Sequence, residues 1–423
     1  MYEVKSVKSD RESVQVDLLA ERPEQGSSFL AYANVVCVVA GTGTLGLPYA
    51  LKLGGWIGVG ILLLSLLMSI YTAILLMKCL YYNGKYRLSS YQEVGRHAFG
   101  RAGLIAVWFF HTSIVIGAPV MYLILSGTEM KGLVANDAIS TKAWIWICAA
   151  IVAIPFVAMK TLKEVAVMSV FGALATVVLV IVAVRGSIID LHNPAYASVV
   201  HDNVILAHLP TTVASISICF GGNVVYMHVE EAMRYPRSWN RVVAAALATC
   251  SILYIATAIP GYLTYGSEAQ SPILANLPND TATKIGTVVI IIHVILAAPI
   301  LLTSFALEFE RLLDITVTRR GKVMERVYRT ISRLILVGIC GGIACTVPYF
   351  GDFLSLLGAL GNCTLIFVLP ILCYFKLIGW RHLKWYELLW CAIIVIIGVI
   401  SAIIGSIDAI KALKTDFQND NSN

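Results

Sequence analysis

Charge is scarce in this chain: Asp, Glu, Lys and Arg make up 13% of its 423 residues, against roughly 25% in an ordinary soluble domain. Half the usual solvating surface excludes a water-soluble globule of this length. Chemistry-bearing patterns are missing as well. No GxxxxGK[ST] loop is present, which argues against a nucleotide-driven pump. No HExxH, no paired-histidine spacing and no CxxC occurs, so neither a metal nor another cofactor is expected. Nothing clusters a nucleophile with a base, so the chain does not read as an enzyme. The ten cysteines, Cys37, Cys79, Cys148, Cys219, Cys250, Cys340, Cys345, Cys363, Cys373 and Cys391, all lie in or beside apolar runs. They read as small buried hydrophobes rather than a disulfide framework. Residues 1–28 are polar and of mixed charge, without the apolar core of a cleavable leader, and read as a disordered tail.

What is abundant is apolar sequence in long runs: 58% of residues are hydrophobic and the mean hydropathy is +0.80. Runs such as Ile57 to Leu76 and Leu388 to Ile404 are long enough to cross a hydrocarbon core of about 30 Å. Eleven spans are expected, at 29–53, 56–80, 104–128, 143–159, 165–184, 211–233, 242–263, 285–307, 332–348, 352–375 and 386–409. The fold class is therefore all-α integral membrane, with a transporter-sized domain over 29–410 and a short C-terminal tail from 411 to 423. The net charge of +6 does not point to nucleic acid, because the cations sit in the short segments between spans. With the N-terminus in the cytosol, 24 of the 31 Lys and Arg fall on the inner side and 7 on the outer, as the positive-inside rule requires. The sequon Asn279-Asp280-Thr281 lies in an outer loop, and an odd number of spans leaves the C-terminus luminal or extracellular.

Most spans read as plain helices, with Pro119, Pro155, Pro260, Pro299 and Pro370 as expected kinks. Two differ. The first holds Ala40-Gly41-Thr42-Gly43-Thr44-Leu45-Gly46-Leu47-Pro48 at mid-membrane depth, and the sixth holds Cys219-Phe220-Gly221-Gly222-Asn223. Each glycine weakens a helix by about 1 kcal/mol relative to alanine, so both centres are poised to unwind. Unwound backbone cannot face lipid and must line a cavity. First and sixth are equivalent positions if spans 1–5 and 6–10 are two halves related by an inverted repeat, and paired broken helices in matching halves mark a transporter's binding site. Half-helices starting near Thr44 and Val224 would turn N–H groups toward a carboxylate. Close helix packing is the alternative use of such glycines.

Three stretches carry a family resemblance. Gly41 to Trp56, GTGTLGLPYALKLGGW, resembles the first-span signature of the amino acid/auxin permease family. Phe220 to Pro236, FGGNVVYMHVEEAMRYP, and Val347 to Tyr374, VPYFGDFLSLLGALGNCTLIFVLPILCY, resemble its sixth- and tenth-span motifs. Motif order and span layout agree over about residues 28–410, and the layout is most similar to vesicular, vacuolar or fungal members. His228 departs from the pattern, standing where members often have proline. The resemblance implies the five-plus-five inverted repeat of the bacterial leucine transporter and secondary active transport of amino acids, in a vacuolar, vesicular or plasma membrane.

On that reading Gly41, Thr42, Gly43, Thr44, Leu45 and Gly46 face Phe220, Gly221, Gly222 and Asn223 across the substrate, with Asn223 as the foremost side chain. Thr112, beside His111 and Ser113 in span 3, either faces the pocket or bridges helices. Glu230, which matches an acidic position of the family motif, carries the coupling proton, forms a gate with a cation such as Arg234, or is a solvated helix-end pair with Glu231. His228 is a second possible relay. Thr303 and Ser304 sit where sodium-coupled relatives of the fold place adjacent hydroxyls, and with carbonyls near Ala40 and Gly43 they are the alternative, sodium-binding site; back-bonding to their own helix is the other reading. Glu308, Glu310, Asp314 and the cations from Arg311 to Arg333 read as a cytosolic loop, and Asp352 as a helix cap. The pocket segments carry no fixed charge, which favours small neutral amino acids, carried by alternating access and driven by protons with sodium as the alternative. The partners expected are the amino acid and the bilayer, with no nucleic acid, and the chain is expected to act as a monomer. A membrane sensor that binds amino acids without moving them would look alike.

Overall fold

The computed structural model describes residues 19–134, 138–158, 166–313, 315, 319, 321–347 and 349–420. Asp17, Leu18, Lys160, Lys163, Asp314 and Pro348 lie outside them, as do the side chains of Glu308 and Arg311. Span 1 is made of α1 (Ser28–Val39) and α2 (Leu47–Gly54), span 2 of α3 (Ile57–Leu80), span 3 of α4 (Tyr91–Val134), span 4 of α5 (Thr141–Ala158) and span 5 of α6 (Ala166–Asp190). Span 6 is again divided, into α7 (Leu209–Cys219) and α8 (Tyr226–Glu231). Spans 7, 8 and 9 are α9 (Trp239–Tyr265), α10 (Thr281–Leu312) and α11 (Lys322–Thr346). Span 10 is α12 (Phe350–Leu357), a π-helical stretch (Gly358–Val368) and α13 (Leu369–Leu377), and span 11 is α14 (Trp385–Asp420). Ten of these are long and apolar enough to cross a bilayer without interruption or across a short break, while the divided sixth contributes only a shorter apolar helix.

The helices form because their sequences are apolar on every side, one face turned to protein and the other to hydrocarbon. Large side chains such as Ile105, Ile154, Phe171, Ile252 and Ile403 remain exposed on the outside of the bundle, which suits lipid and not water. Inside, the two divided spans are flanked by the helices that hold them: α1 packs on α6 and α9, and α10 packs on α4 and α6. Spans 3 and 8, equivalent positions in the two repeats, thus stand beside the broken centres.

Helices α4, α5, α9 and α10 continue through Pro119, Pro155, Pro260 and Pro299, since the protein around a spanning helix can re-satisfy the backbone group that proline frees. Helix α4 also carries a dihedral break at Phe99 and Gly100, where Gly100 has φ of 63°. The expectations for both termini need correction. The N-terminal tail is folded at least from Glu21 onward: Arg22 donates its N–H to the Arg234 carbonyl at 2.9 Å, and Gly26 and Arg234 are also paired through backbone. At the other end α14 continues to Asp420, so residues 411–420 extend the last helix instead of trailing from it. Gly55 has φ of 83°, where a Cβ would also sit 2.6 Å from the Asp202 carbonyl; only glycine allows this turn between spans 1 and 2.

Glu310 and Arg333, read from sequence as part of a solvated loop, form a buried pair. Arg333 is 0% exposed, its Nε lies 2.9 Å from Glu310 Oε1, and its Nη1 donates to the Phe156 carbonyl at 2.7 Å. Helix α11 starts at Lys322, which carries Arg333 three turns into the bundle, where it ties spans 4, 8 and 9. Replacing Glu310 by Gln takes away the counter-charge 2.9 Å from Arg333 Nε, a loss of up to about 3–5 kcal/mol. The melting temperature of the detergent-solubilised protein should fall markedly; an unchanged value would show that this pair is solvated.

Candidate functional site

The first break begins where α1 runs out of helix formers. Ala40 takes φ −79° and ψ 37° while its N–H still reaches Val36, and the next five residues, Thr42–Gly46, wind into a tighter 3-10 turn. Pro48 then starts α2 from its first turn, a position where the missing N–H is harmless. The second break runs through Gly221 (φ −68°, ψ 34°) into a short 3-10 turn at Gly222–Val224. The two breaks touch. A Cβ on Gly43 would lie 2.9 Å from Cys219 Sγ and 3.2 Å from Cys219 Cα, so glycine sets how closely they approach.

Between them is a cavity of about 60 Å³ whose wall includes Gly41, Thr42 and Gly43 from span 1, Gly221 and Val224 from span 6, and Tyr122 from span 3. Apolar side chains from spans 3 and 8, among them Ile114, Met121, Ile300 and Leu301, and from the ends of α1 and α7 form the rest. No charged side chain lines it. Of the residues expected from sequence, Gly41, Thr42, Gly43 and Gly221 come together here. Thr44, Leu45, Gly46, Phe220, Gly222, Asn223 and Thr112 are not in this wall. Gly46 faces outward along α2, where a Cβ would lie 2.7 Å from Leu354 Cδ2 of span 10. The Phe220 ring packs edge-on against Tyr254. The Asn223 amide is turned to span 10, its Nδ2 donating to the Leu365 carbonyl at 3.4 Å. Thr112 Oγ1 is buried without a partner, two residues before the cavity-lining Ile114 and so on a different face of α4.

What holds the breaks open was not read from sequence. The hydroxyl of Tyr254, on span 7, lies 2.6 Å from the Val39 carbonyl and 2.5 Å from the Cys219 carbonyl, the last helical residues before each break. One phenol thus serves the ends of both half-helices. Asn362, in the π-helical stretch of span 10, donates Nδ2 to the Ser217 carbonyl at 2.5 Å. Tyr91 and Asn223 both donate to Leu365 in the same stretch, whose wide π turn frees carbonyls that an α turn would use. The only sequence signals were Gly358, Gly361 and Asn362 in an apolar run.

At the end of the bundle that carries the N-terminus, Glu230 is fully buried and saturated. Arg87 Nε donates to Oε2 at 2.8 Å, while the Tyr81 hydroxyl at 2.6 Å and Arg22 Nη2 at 3.3 Å share Oε1. Arg22 also holds the Glu230 and Glu231 carbonyls, and Arg87 the Met227 carbonyl. Burial, and after it the hydrogen bond to Glu230, pushes the Tyr81 phenol up to about 12, so it remains a donor at any working pH. The expected partner Arg234 is engaged elsewhere, with Glu21 at 2.7 Å; the solvated helix-end reading fits only Glu231. At the opposite end Tyr49 donates to Asp352 at 3.4 Å, so that carboxylate joins spans 1 and 10 instead of capping its helix. Of the proposed sodium ligands, Ser304 back-bonds to Ile300 at 3.4 Å and Thr303 Oγ1 is buried without a partner. Ala40, named for its carbonyl, is buried at the C-terminal end of α1.

Removing the Tyr254 hydroxyl should loosen both half-helix ends. Tyr254→Phe leaves two buried carbonyls short of a donor, a loss of about 1–3 kcal/mol, and should lower the melting temperature and substrate affinity together. Unchanged values for both would mean other groups satisfy these carbonyls.

Comparison with known proteins accords with this geometry. The chain is 26% identical to amino acid transporter AVT1C of Arabidopsis thaliana, covering 98% of this chain and 75% of the relative. It is 28% identical to AVT1H of the same plant, covering 97% and 96%. Among solved structures, Mhp1, a nucleobase-cation-symport-1 family transporter in a closed conformation, matches with a TM-score of 0.55 at 13% identity, over 94% of this chain and 95% of that one. A Na+-coupled sialic acid symporter matches with a TM-score of 0.53 at 14% identity, over 91% and 90%. These two share the fold, the five-plus-five inverted repeat with broken first and sixth helices. The sequence model described as transmembrane amino acid transporter protein matches residues 24–411, and the chain belongs to that family.

Proposed function

We propose that this protein is a secondary active carrier of small neutral amino acids, driven by protons and working by alternating access. The observation that carries the reading is the cavity between the two breaks. Its walls combine main chain from Gly41–Gly43 and Gly221 with apolar side chains and no fixed charge, a setting that suits a zwitterion whose two charges meet backbone dipoles. At about 60 Å³ it holds about four to six waters, by the yardstick of roughly 10–15 Å³ each. That is close to the non-hydrogen atom count of glycine or alanine, so larger substrates require the cavity to widen. The relatives carry the name of amino acid transporters, in agreement.

Two sets of contacts, one toward each end of the bundle, serve as the closures in this reading. On one side the Arg22, Tyr81 and Arg87 cluster pins span 6 to span 2 and the N-terminal segment. On the other, α2 lies against span 10 through Tyr49 and Gly46. Opening either end means parting one set while the other stays closed. The distribution of Lys and Arg places the first set in the cytosol, with the exposed Asn279 of the sequon on the luminal or extracellular side. The membrane is vacuolar, vesicular or the cell surface, and the carrier acts as a monomer. Sodium is the alternative driver, favoured by the unpartnered hydroxyl of Thr303.

Uptake of labelled glycine, alanine and serine into proteoliposomes tests the reading. A pH gradient should drive accumulation, and a sodium gradient at equal pH should not. Gly43→Val, which forces a side chain into Cys219, should abolish uptake while the protein still inserts. Sodium-driven accumulation would replace the ion, and normal transport by the valine variant would remove the substrate site.

A further inference from the structure

A carried proton needs a buried acceptor atom that lies beside a moving element and is not already claimed by a cation. Most buried acids here are claimed. Glu230 is held by two arginines and a tyrosine, and Glu310 by Arg333. Asp352 is hydrogen-bonded by Tyr49, and Glu129, near the outer end of span 3, faces Thr287. Two histidines remain at the level of the breaks, and neither is salt-bridged.

His293, on span 8, is 4% exposed, and its Nε2 is buried with no hydrogen-bond partner. A Cβ built on Gly41 would lie 3.8 Å from this Nε2 and 3.8 Å from the Val38 carbonyl. The ring therefore meets span 1 at its break, beside the C-terminal end of α1, where the carbonyl ends of the helix favour a positive charge. On the other side of the ring, Gly172 of span 5 comes so close that its own Cβ would fall 3.1 Å from Cε1. The titratable groups facing His293 are the Tyr122 hydroxyl of span 3 and the Cys37 thiol of span 1, both neighbours of these same two glycines.

His111, on span 3, repeats the arrangement at the other break. It is 4% exposed, its Nε2 lies 3.4 Å from the Val224 carbonyl of span 6, and its Nδ1 is buried without a partner. His228 of span 6 lies within electrostatic range of it. Spans 3 and 8 are equivalent in the two inverted halves, as are spans 1 and 6. Each broken helix is thus met by one histidine from the equivalent span of the opposite half.

We infer that Nε2 of His293 is the atom that binds the transported proton, with His111 as its counterpart across the repeat. This rests on the proton-driven reading above. The neutral ring accepts one proton from water on the side to which the cavity is open. The resulting imidazolium gives its Nε2–H to a last-turn carbonyl of α1, which draws span 1 against span 8. The proton leaves to water on the other side when the cavity opens there, so one proton enters and one leaves in each cycle.

The test uses the full chain in proteoliposomes, the best of labelled glycine, alanine and serine as substrate, and an enclosed pH-sensitive dye. Wild type should show substrate-dependent proton flux. His293→Gln, which keeps size and hydrogen bonding but binds no proton, should lose that flux by at least about tenfold while substrate exchange at equal pH falls by no more than about threefold. Retained proton flux in His293→Gln overturns the inference. So does exchange that falls as far as flux, since His293 would then be a substrate ligand. Wild type that moves substrate with no proton flux defeats the proton-driven reading itself, a result seen before any variant is made. If His293→Gln does not fold, His293→Asn is judged by the same criteria.

Discussion

A main-chain carbonyl at the middle of a bilayer has no water to turn to, and leaving it unpaired costs several kcal/mol. A transporter of this fold interrupts two helices at that depth, and the rest of the molecule has to absorb the consequence. Tyr254 does so at one point, its hydroxyl within reach of both Val39 and Cys219. Asn362 does so for Ser217. The glycines at positions 43 and 221 let the two breaks and span 10 approach closely, since side chains there would meet Cys219 and Asn362. The small cavity is what is left once these bonds are made.

The same logic extends to the ends of the bundle. Glu230 is buried yet charge-matched, with its two oxygens shared among Arg22, Arg87 and Tyr81. Such a cluster is stable only while complete, because removing any one partner leaves a desolvated charge. It can therefore act as a latch with two well-separated states, assembled or parted, rather than as a graded contact. Because Arg22 belongs to the segment before the first span, the closed form enlists residues that precede the apolar domain. The contacts at the opposite end are lighter, one tyrosine–carboxylate bond and the packing of Gly46 on Leu354.

Much of the architecture was legible because it is written in one variable, apolar run length. Eleven spans and both interruptions follow from it together with glycine placement, and the helices observed match within a few residues except where α4, α6, α10, α11 and α14 run longer than expected. The site was legible only in part. Gly41, Gly43 and Gly221, expected at the breaks, line the cavity between them, because glycine reports backbone geometry directly. Asn223 could not be oriented: a polar side chain at mid-depth needs a partner, and sequence does not say whether that partner is a substrate or the Leu365 carbonyl. Tyr254, Asn362 and His293 carry no local signature, since each acts on an element far away along the chain. The Glu310–Arg333 pair was misplaced because charge near a span end reads as loop, whereas α10 and α11 run long enough to bury both residues.

The claim on which the account stands is that an amino acid lies between the two interruptions, against Gly41–Gly43 and Gly221. A cryo-electron microscopy structure of the protein in lipid nanodiscs, prepared with a saturating concentration of the amino acid it takes up best, addresses it most directly. The account predicts density for the amino acid in that cavity, with Tyr254 still bridging the two helix ends. First and sixth helices that run continuous past these glycines, or density only outside the space between them, would contradict it.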